Sequence, residues 1–293
     1  MQGRIIGNIA NNYKIMTESG EYSCYARGKF RNQETTPIVG DNVEILIINE
    51  EKREAIIEEI KERKNEIKRP KIANIDQIIF IISTKNPKPD LLMLDKQLAY
   101  ANKIGIEAII VINKMDLQEN YKKIQEEYTN VGYKTIVTSA KEKIGIEEVK
   151  KSLKNKISVL SGNSGVGKSS IINAIYGFNK TEEGEISQKN KKGKNTTTDT
   201  KLYEIEKNTY VADTPGFSSF EINEIESIEL DKCFLEFKNK IEKCEFVGCT
   251  HIKEENCEIK KNVEKGTISK GRYERYCIIY NELKDKEKYK WKK

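Results

Sequence analysis

Residues Gly162-Asn163-Ser164-Gly165-Val166-Gly167-Lys168-Ser169 satisfy the phosphate-loop pattern G-x-x-x-x-G-K-[ST], and Ser170 extends it. Glycines at Gly162, Gly165 and Gly167 let backbone amides turn inward onto phosphate oxygens. A helix starting there adds positive potential. Lys168 is placed to meet β- and γ-phosphates, and the Ser169 hydroxyl to ligate magnesium. Asp213-Thr214-Pro215-Gly216, a D-x-x-G pattern, follows the strand-like Tyr210-Val211-Ala212 about 45 residues beyond Lys168. There Asp213 would hold magnesium through water and the Gly216 amide would meet the γ-phosphate. Between the two motifs, Asn195-Thr196-Thr197-Thr198 offers hydroxyls for the magnesium shell, with Thr198 the favoured ligand. Lys189, Lys191, Lys192 and Lys194 flank it, either as contacts to RNA phosphate or as solvated side chains.

Asn113-Lys114-Met115-Asp116 is an N-K-x-D pattern. A carboxylate at Asp116 accepts two hydrogens from guanine N1 and N2, which adenine cannot supply. Asn113 would buttress the site and the Lys114 stem would cover the ring. Ser139-Ala140-Lys141 would offer a backbone amide to guanine O6. The set selects GTP over ATP. Ordinarily the phosphate loop comes first and N-K-x-D last; here the order is inverted, which predicts a circularly permuted GTP-binding domain. Phe217 follows D-x-x-G, where a water-orienting glutamine is common. Slow intrinsic hydrolysis, helped by a partner or a switch residue, is the expectation.

A second cluster lies downstream. Cys244-x4-Cys249-x-His251-x5-Cys257 uses the only histidine in the chain. Thiolates and an imidazole at this spacing make a closed tetrahedral set for structural zinc, with no position left for a catalytic water. So polar a span could hardly build a core without the ion. Cys24, Cys233 and Cys277 read as ordinary buried thiols.

The elements that must position these residues are legible in outline. Residues 1–68 show about five short strands with Gly and Asn turns, suiting a small barrel. An oligonucleotide-binding (OB) fold leads, and an SH3-like barrel remains open. Lys61 to Ile72 reads as a charged linker. Gln77–Ser83, Glu107–Ile112, Lys134–Thr138 and Ile157–Ser161 are apolar runs typical of buried parallel strands. Asp90–Asn102 and Ser169–Tyr176 read as helices. Alternation of strands and helices predicts a doubly wound α/β sheet, with each ligand motif at a strand's carboxyl end. From about Glu221 the chain turns polar and helical, and Lys284 to Lys293 forms a basic tail.

The chain has 293 residues, 37% hydrophobic and 33% charged, room for one large or two to three modest domains. No apolar run reaches the ~20 residues of a membrane span. Met1-Gln2-Gly3-Arg4 starts no apolar leader, so a cytoplasmic protein is expected. In that reducing setting the six cysteines are not expected to pair. The net charge of +6 permits a nucleic-acid partner without demanding one.

Taken together, N-K-M-D, S-A-K, G-N-S-G-V-G-K-S, T-T-T, D-T-P-G and C-x4-C-x-H-x5-C resemble the bacterial small-ribosomal-subunit-dependent GTPases of the RsgA (YjeQ) family. Arg69-Pro70-Lys71-Ile72-Ala73-Asn74-Ile75-Asp76 also matches the start of that family's GTPase domain. The resemblance implies a multidomain chain: an OB-fold barrel (1–68), a circularly permuted α/β P-loop GTPase domain (69–220) and a mostly helical zinc-binding domain (221–293). It implies late maturation of the small ribosomal subunit, with GTP hydrolysis stimulated by that subunit. The OB and zinc domains would touch rRNA, and Tyr13, Tyr22 and Tyr25 suit such a surface. A monomer without membrane association is expected. Lys168, Thr198 and Asn195 are the catalytic candidates. Asn195 stands where the family usually has a histidine implicated in hydrolysis. An amide can hydrogen-bond water but cannot act as a general base near pH 7.

Overall fold

The structure, a computed structural model, describes residues 1–9, 12–31, 36–68, 70–118, 121–176, 200–213 and 224–290. It divides into two compact units. One comprises Met1–Ile79, Ile146–Gly162 and Lys168–Ser218; the other comprises Phe80–Gly145, Asn163–Gly167 and Ser219–Lys293. Among the described residues no helix is long and apolar enough to cross a membrane.

The first unit opens with β1 (Gln2–Ile9), β2 (Asn12–Thr17), β3 (Gly20–Ala26), β4 (Asn42–Asn49) and β5 (Glu54–Ile60). β1 pairs with β2, β2 with β3, β3 in parallel with β5, β5 with β4, and β4 back with β1. That closed order, with its parallel pair, is an OB-type barrel and decides against the SH3-like alternative. Alternate residues point inward, so Ile5, Ile15, Tyr22, Cys24, Ala55 and Ile57 fill the interior without exposure, and Tyr22 and the buried Tyr13 are core residues and not the RNA-facing rings expected.

The charged stretch read as a linker is folded. It holds the hairpin β6 (Glu66–Lys68) and β7 (Lys71–Ala73), paired Ile67 to Ile72. Buried polar groups fasten it, because each must find a partner. Arg63 grips the buried Asp41 carboxylate with Nε at 2.7 Å and Nη2 at 2.8 Å. Asn74, in the left-handed region at φ 58°, accepts from the Lys64 amide and donates to Gly40 O. A side chain on Gly40 would meet Ala73 O at 2.1 Å. Asp76 then takes the Ile157 amide at 2.8 Å. Residues 70–76 are thus held in place by partners distant in the sequence.

β8 (Gln77–Ser83) begins in the first unit and ends in the second. The remaining strands are β9 (Glu107–Asn113), β10 (Lys134–Val137), β11 (Ile157–Ser161), β12 (Lys201–Glu206) and β13 (Thr209–Asp213). In the first unit β11 lies parallel to β13, β13 antiparallel to β12, and β12 meets β1 at Lys201 and Gly7. In the second unit β10 lies parallel to β9, which neighbours β8. β8, β9 and β11 are almost wholly buried, as unbroken Ile/Val runs require.

Helices flank these strands. Leu91–Lys103 is capped by Asp90, whose carboxylate accepts from the Met93 amide at 2.9 Å. Tyr121–Val131 and Ile146–Leu153 follow, and Lys168–Tyr176 starts at the phosphate-loop lysine. The C-terminal segment has Glu258–Glu264 and the long Lys270–Lys290 helix. The expected basic tail continues that helix as far as Lys290. Its glutamates and lysines alternate closely enough to pair within the helix, as Asp285 does with Lys288 at 2.9 Å.

Candidate functional site

The N-K-x-D segment and residues Asn163–Gly167 of the glycine-rich loop are tied together inside the second unit. β9 ends at Asn113, only 2% exposed. Its Nδ2 donates to Val166 O at 2.9 Å, while its Oδ1 accepts from the Ala140 amide and Thr138 Oγ1, both at 3.1 Å. One side chain therefore fixes three segments. A Cβ on Gly167 would lie 2.3 Å from that Nδ2, and its φ is +102°, so only glycine fits. Gly165 at φ 80° also uses the left-handed region. The Lys114 ammonium donates to Gly165 O at 2.7 Å and to Asn86 O. Asp116 stands exposed, its Oδ1 accepting from the buried Ser139 hydroxyl at 2.7 Å. Met115 donates its amide to Thr138 O, and Lys141 is exposed.

In the first unit, Gly162 follows β11 and Lys168 opens its helix. The Lys168 ammonium donates to Gly162 O. Ser169 and Ser170 are exposed at the helix start, and Asp213 closes β13. Within the loop Asn163 O accepts from the Val166 amide, Val166 is buried and Ser164 is exposed. Asn195, Thr198 and Gly216 lie outside the described residues, as do Phe217 and the lysines at 189 to 194.

Three residues of this site were missed in the sequence. Thr84, 1% exposed, donates its amide to Asn113 O at 3.1 Å and its hydroxyl to Lys114 O at 2.6 Å. Asn86 takes the Lys114 ammonium, and Pro87 O accepts from Ser83 Oγ at 2.7 Å. No motif marks them. The available signal was a Pro-rich turn at the carboxyl end of a buried strand, where α/β sheets build ligand sites.

The ligand atoms of Cys244, Cys249, His251 and Cys257 all lie within 4.8 Å of one another. His251 Nδ1 is 3.3 Å from Cys257 Sγ and 3.6 Å from Cys244 Sγ, and the two sulfurs are 4.0 Å apart. Bonds of about 2.0–2.3 Å to a central zinc would space tetrahedral donors by roughly 3.5–3.8 Å, so the set fits the ion. His251 Nε2 is buried and has no hydrogen-bond partner among the described residues; the Asp231 carboxylate stands 3.5 Å away. Burial disfavours a charged His251, yet Asp231 and Cys257 outweigh it and raise the ring's pKa to about 10. Burial likewise opposes the Cys257 thiolate, but His251 beside it holds that thiol down to about 7. Metal binding displaces such protons.

The second unit locks this cluster in place. Tyr273 and Tyr276 of the Lys270–Lys290 helix donate to His251 O at 2.7 Å and Thr250 O at 3.0 Å. Phe237 packs edge-on to the His251 ring at 5.8 Å.

The RsgA GTPase family model matches residues 60–223. The chain belongs to the RsgA GTPase family. The RsgA N-terminal domain model matches residues 2–57. A Caldanaerobacter subterraneus protein named small ribosomal subunit biogenesis GTPase RsgA is 40% identical over 100% of this chain and 99% of its own. A Clostridium acetobutylicum protein of the same name is 42% identical over 99% of this chain and 100% of its own. Two solved structures share the architecture. YjeQ from Thermotoga maritima matches with TM-score 0.84 and 38% identity over 96% of this chain and 98% of its own. YloQ, titled a circularly permuted GTPase, matches with TM-score 0.81 and 33% identity over 97% of this chain and 95% of its own. The permuted motif order of this RsgA-family chain has the same explanation.

One further feature of this RsgA-family chain carries no sequence motif. Arg272, 1% exposed, donates to Asp95 and, through Nε at 2.7 Å and Nη2 at 3.0 Å, to Glu236. Arg275 bridges Asp95 to Glu127, and the Tyr128 hydroxyl donates to Asp95 at 2.7 Å. The Arg272 guanidinium also lies over the Phe234 ring at 4.9 Å. Helices Leu91–Lys103 and Tyr121–Val131 are thereby bound to Lys270–Lys290.

Proposed function

We propose that this chain is a GTP phosphohydrolase acting in late maturation of the small ribosomal subunit, with turnover stimulated by that subunit. The observation that carries the reading is the tie between Asn113, Lys114 and the phosphate loop at Gly165 to Gly167. It supports one pocket reading guanine and phosphate together.

In that pocket Asp116 takes guanine N1 and N2, Asn113 holds the walls, and the Lys114 stem covers the ring, with Met115 beside it. Ser139, Ala140 and Lys141 border guanine O6. Amides of Gly162 to Gly167 cradle the phosphates, with Ser170 continuing the turn. Lys168 draws charge from the β- and γ-phosphates, and Gly216 meets the γ-phosphate. Ser169, Thr198 and Asp213 would hold magnesium, which neutralises charge developing on the phosphate oxygens. Asn195 contributes a hydrogen bond to water and no general base. Stimulation by the subunit supplies what Asn195 and Phe217 lack.

Three domains, 1–68, 69–220 and 221–293, divide the labour. The barrel and the C-terminal domain bind rRNA, the latter built round one structural zinc on Cys244, Cys249, His251 and Cys257. The protein works as a cytoplasmic monomer.

GTP turnover measured with and without purified small subunits tests the reading. Acceleration by subunits is expected, and Lys168→Ala should abolish it. Asp116→Asn should shift preference toward xanthine nucleotide, because the amide NH2 can meet a C2 carbonyl. Subunits that leave turnover unchanged would remove the ribosomal role, and an unshifted base preference would remove the assignment of Asp116.

A further inference from the structure

The hairpin β4–β5, Asn42–Ile60, carries six glutamates against Lys52 and Arg53, in a chain of net charge +6. Its outward positions mix these carboxylates with apolar side chains. Val43, Ile45, Ala55 and Ile57 fill the barrel, so the alternate Leu46, Ile56 and Ile48 face away from it. The register sets Ile56 opposite Leu46 on one side and Tyr25 of β3 on the other. An apolar row therefore crosses three neighbouring strands, about 4.8 Å apart. Tyr25 is 55% exposed, Leu46 48% and Ile48 59%. A single exposed apolar residue needs no explanation, but a contiguous row marks an interaction surface.

The rim decides what covers it. Glu54 and Glu58 bracket Ile56 along β5, and Glu44 precedes Leu46 along β4. Arg27 pairs with Glu58 and Lys61 with Glu44, both at 2.8 Å. Among the described residues no cation pairs with Glu51 or Glu54. Nucleic-acid surfaces present cations to phosphate and place aromatic rings among them. Here Tyr25 sits beside a hairpin of the opposite charge.

We propose that this outer face of β3, β5 and β4 docks a lysine- and arginine-rich protein segment of the small subunit, anchored by an apolar side chain, and not its RNA. The partner's identity rests on the ribosomal reading above. Complementary charge would guide the encounter and the apolar row would supply the anchor. RNA contact then belongs to other surfaces of the chain.

Charge reversal tests this, because the two partner classes respond with opposite sign. The full-length Glu51→Lys/Glu54→Lys variant should bind purified small subunits at least threefold more weakly, and Leu46→Glu/Ile48→Glu at least tenfold. All four positions are outward-facing, so melting temperature and subunit-free GTP turnover should not move. A photoreactive phenylalanine analogue at position 46 should cross-link to a basic ribosomal protein. Tighter binding on charge reversal, RNA adducts at position 46, or unchanged affinity in both variants would each overturn the proposal. Wild-type protein that fails to bind subunits would instead overturn the ribosomal reading, and this inference with it.

Discussion

In the barrel, Ile5, Ile15, Tyr22, Cys24, Ala55 and Ile57 reach zero exposure because five strands close on themselves. In the Cys/His segment the inward groups are three sulfurs and an imidazole, and Phe246 and Val247 point to solvent. The barrel's free energy comes from apolar area removed from water. The segment has a short irregular backbone with few side chains to bury, where bonds to a bound metal would supply what an apolar core does not. The two regions thus differ in what should destroy them: cavities in one, loss of the metal-type donors or of their supporting groups in the other.

Chelation should show this contrast most strongly. Structural zinc contributes on the order of 10 kcal/mol in small zinc-dependent folds. Removing it, or making Cys257→Ser, should unfold the segment around Cys244 to Cys257, read as exchange of its amides by hydrogen-exchange mass spectrometry. Amides of β1 to β5 should keep their protection; equal loss in both regions would end the distinction. Next in size is Asp95→Ala, which removes the carboxylate shared by Arg272 and Arg275 and leaves them only Glu236 and Glu127. Breaking such a cluster costs about 3–5 kcal/mol, and the fall in denaturation midpoint should be seen by probes in the second unit. Ile57→Ala acts on the barrel alone, at about 2–5 kcal/mol for a truncated buried isoleucine, without altering metal content. The smallest effect is expected for Asp231→Asn. If this carboxylate orients the Nε2 side of His251, its loss should weaken zinc retention about 10- to 100-fold against a competing chelator. Retention equal to wild type would make Asp231 a bystander.

Legibility in the sequence followed the range of the forces involved. The strands Gln77–Ser83 and Ile157–Ser161 and the first helix, Leu91–Lys103 beside an expected Asp90–Asn102, were readable from local periodicity and capping. The hairpin at Glu66–Ala73 was not. Its residues look like a solvated linker until Asp41 and Gly40, distant in sequence, supply the buried partners for Arg63 and Asn74. Likewise Lys114 was expected over the guanine ring, but that its ammonium reaches Gly165 O needed the fold. Thr84 and Arg272 carry no motif because what they do depends wholly on which chain segments lie beside them.

Residue types and their spacing set the chemistry on offer: a glycine-rich turn before a lysine, the carboxylate of an N-K-x-D motif, four metal-type donors and an inverted order of motifs. Those are properties of residue type and spacing, and they survive in any conformation. Tertiary structure alone decided that Asn113 would clasp the loop at Val166, that Arg272 would be swallowed among Asp95 and Glu236, and that Leu46, Ile56 and Tyr25 would line up outside the barrel. Each depends on register and packing between segments far apart in the chain, which local preferences do not encode.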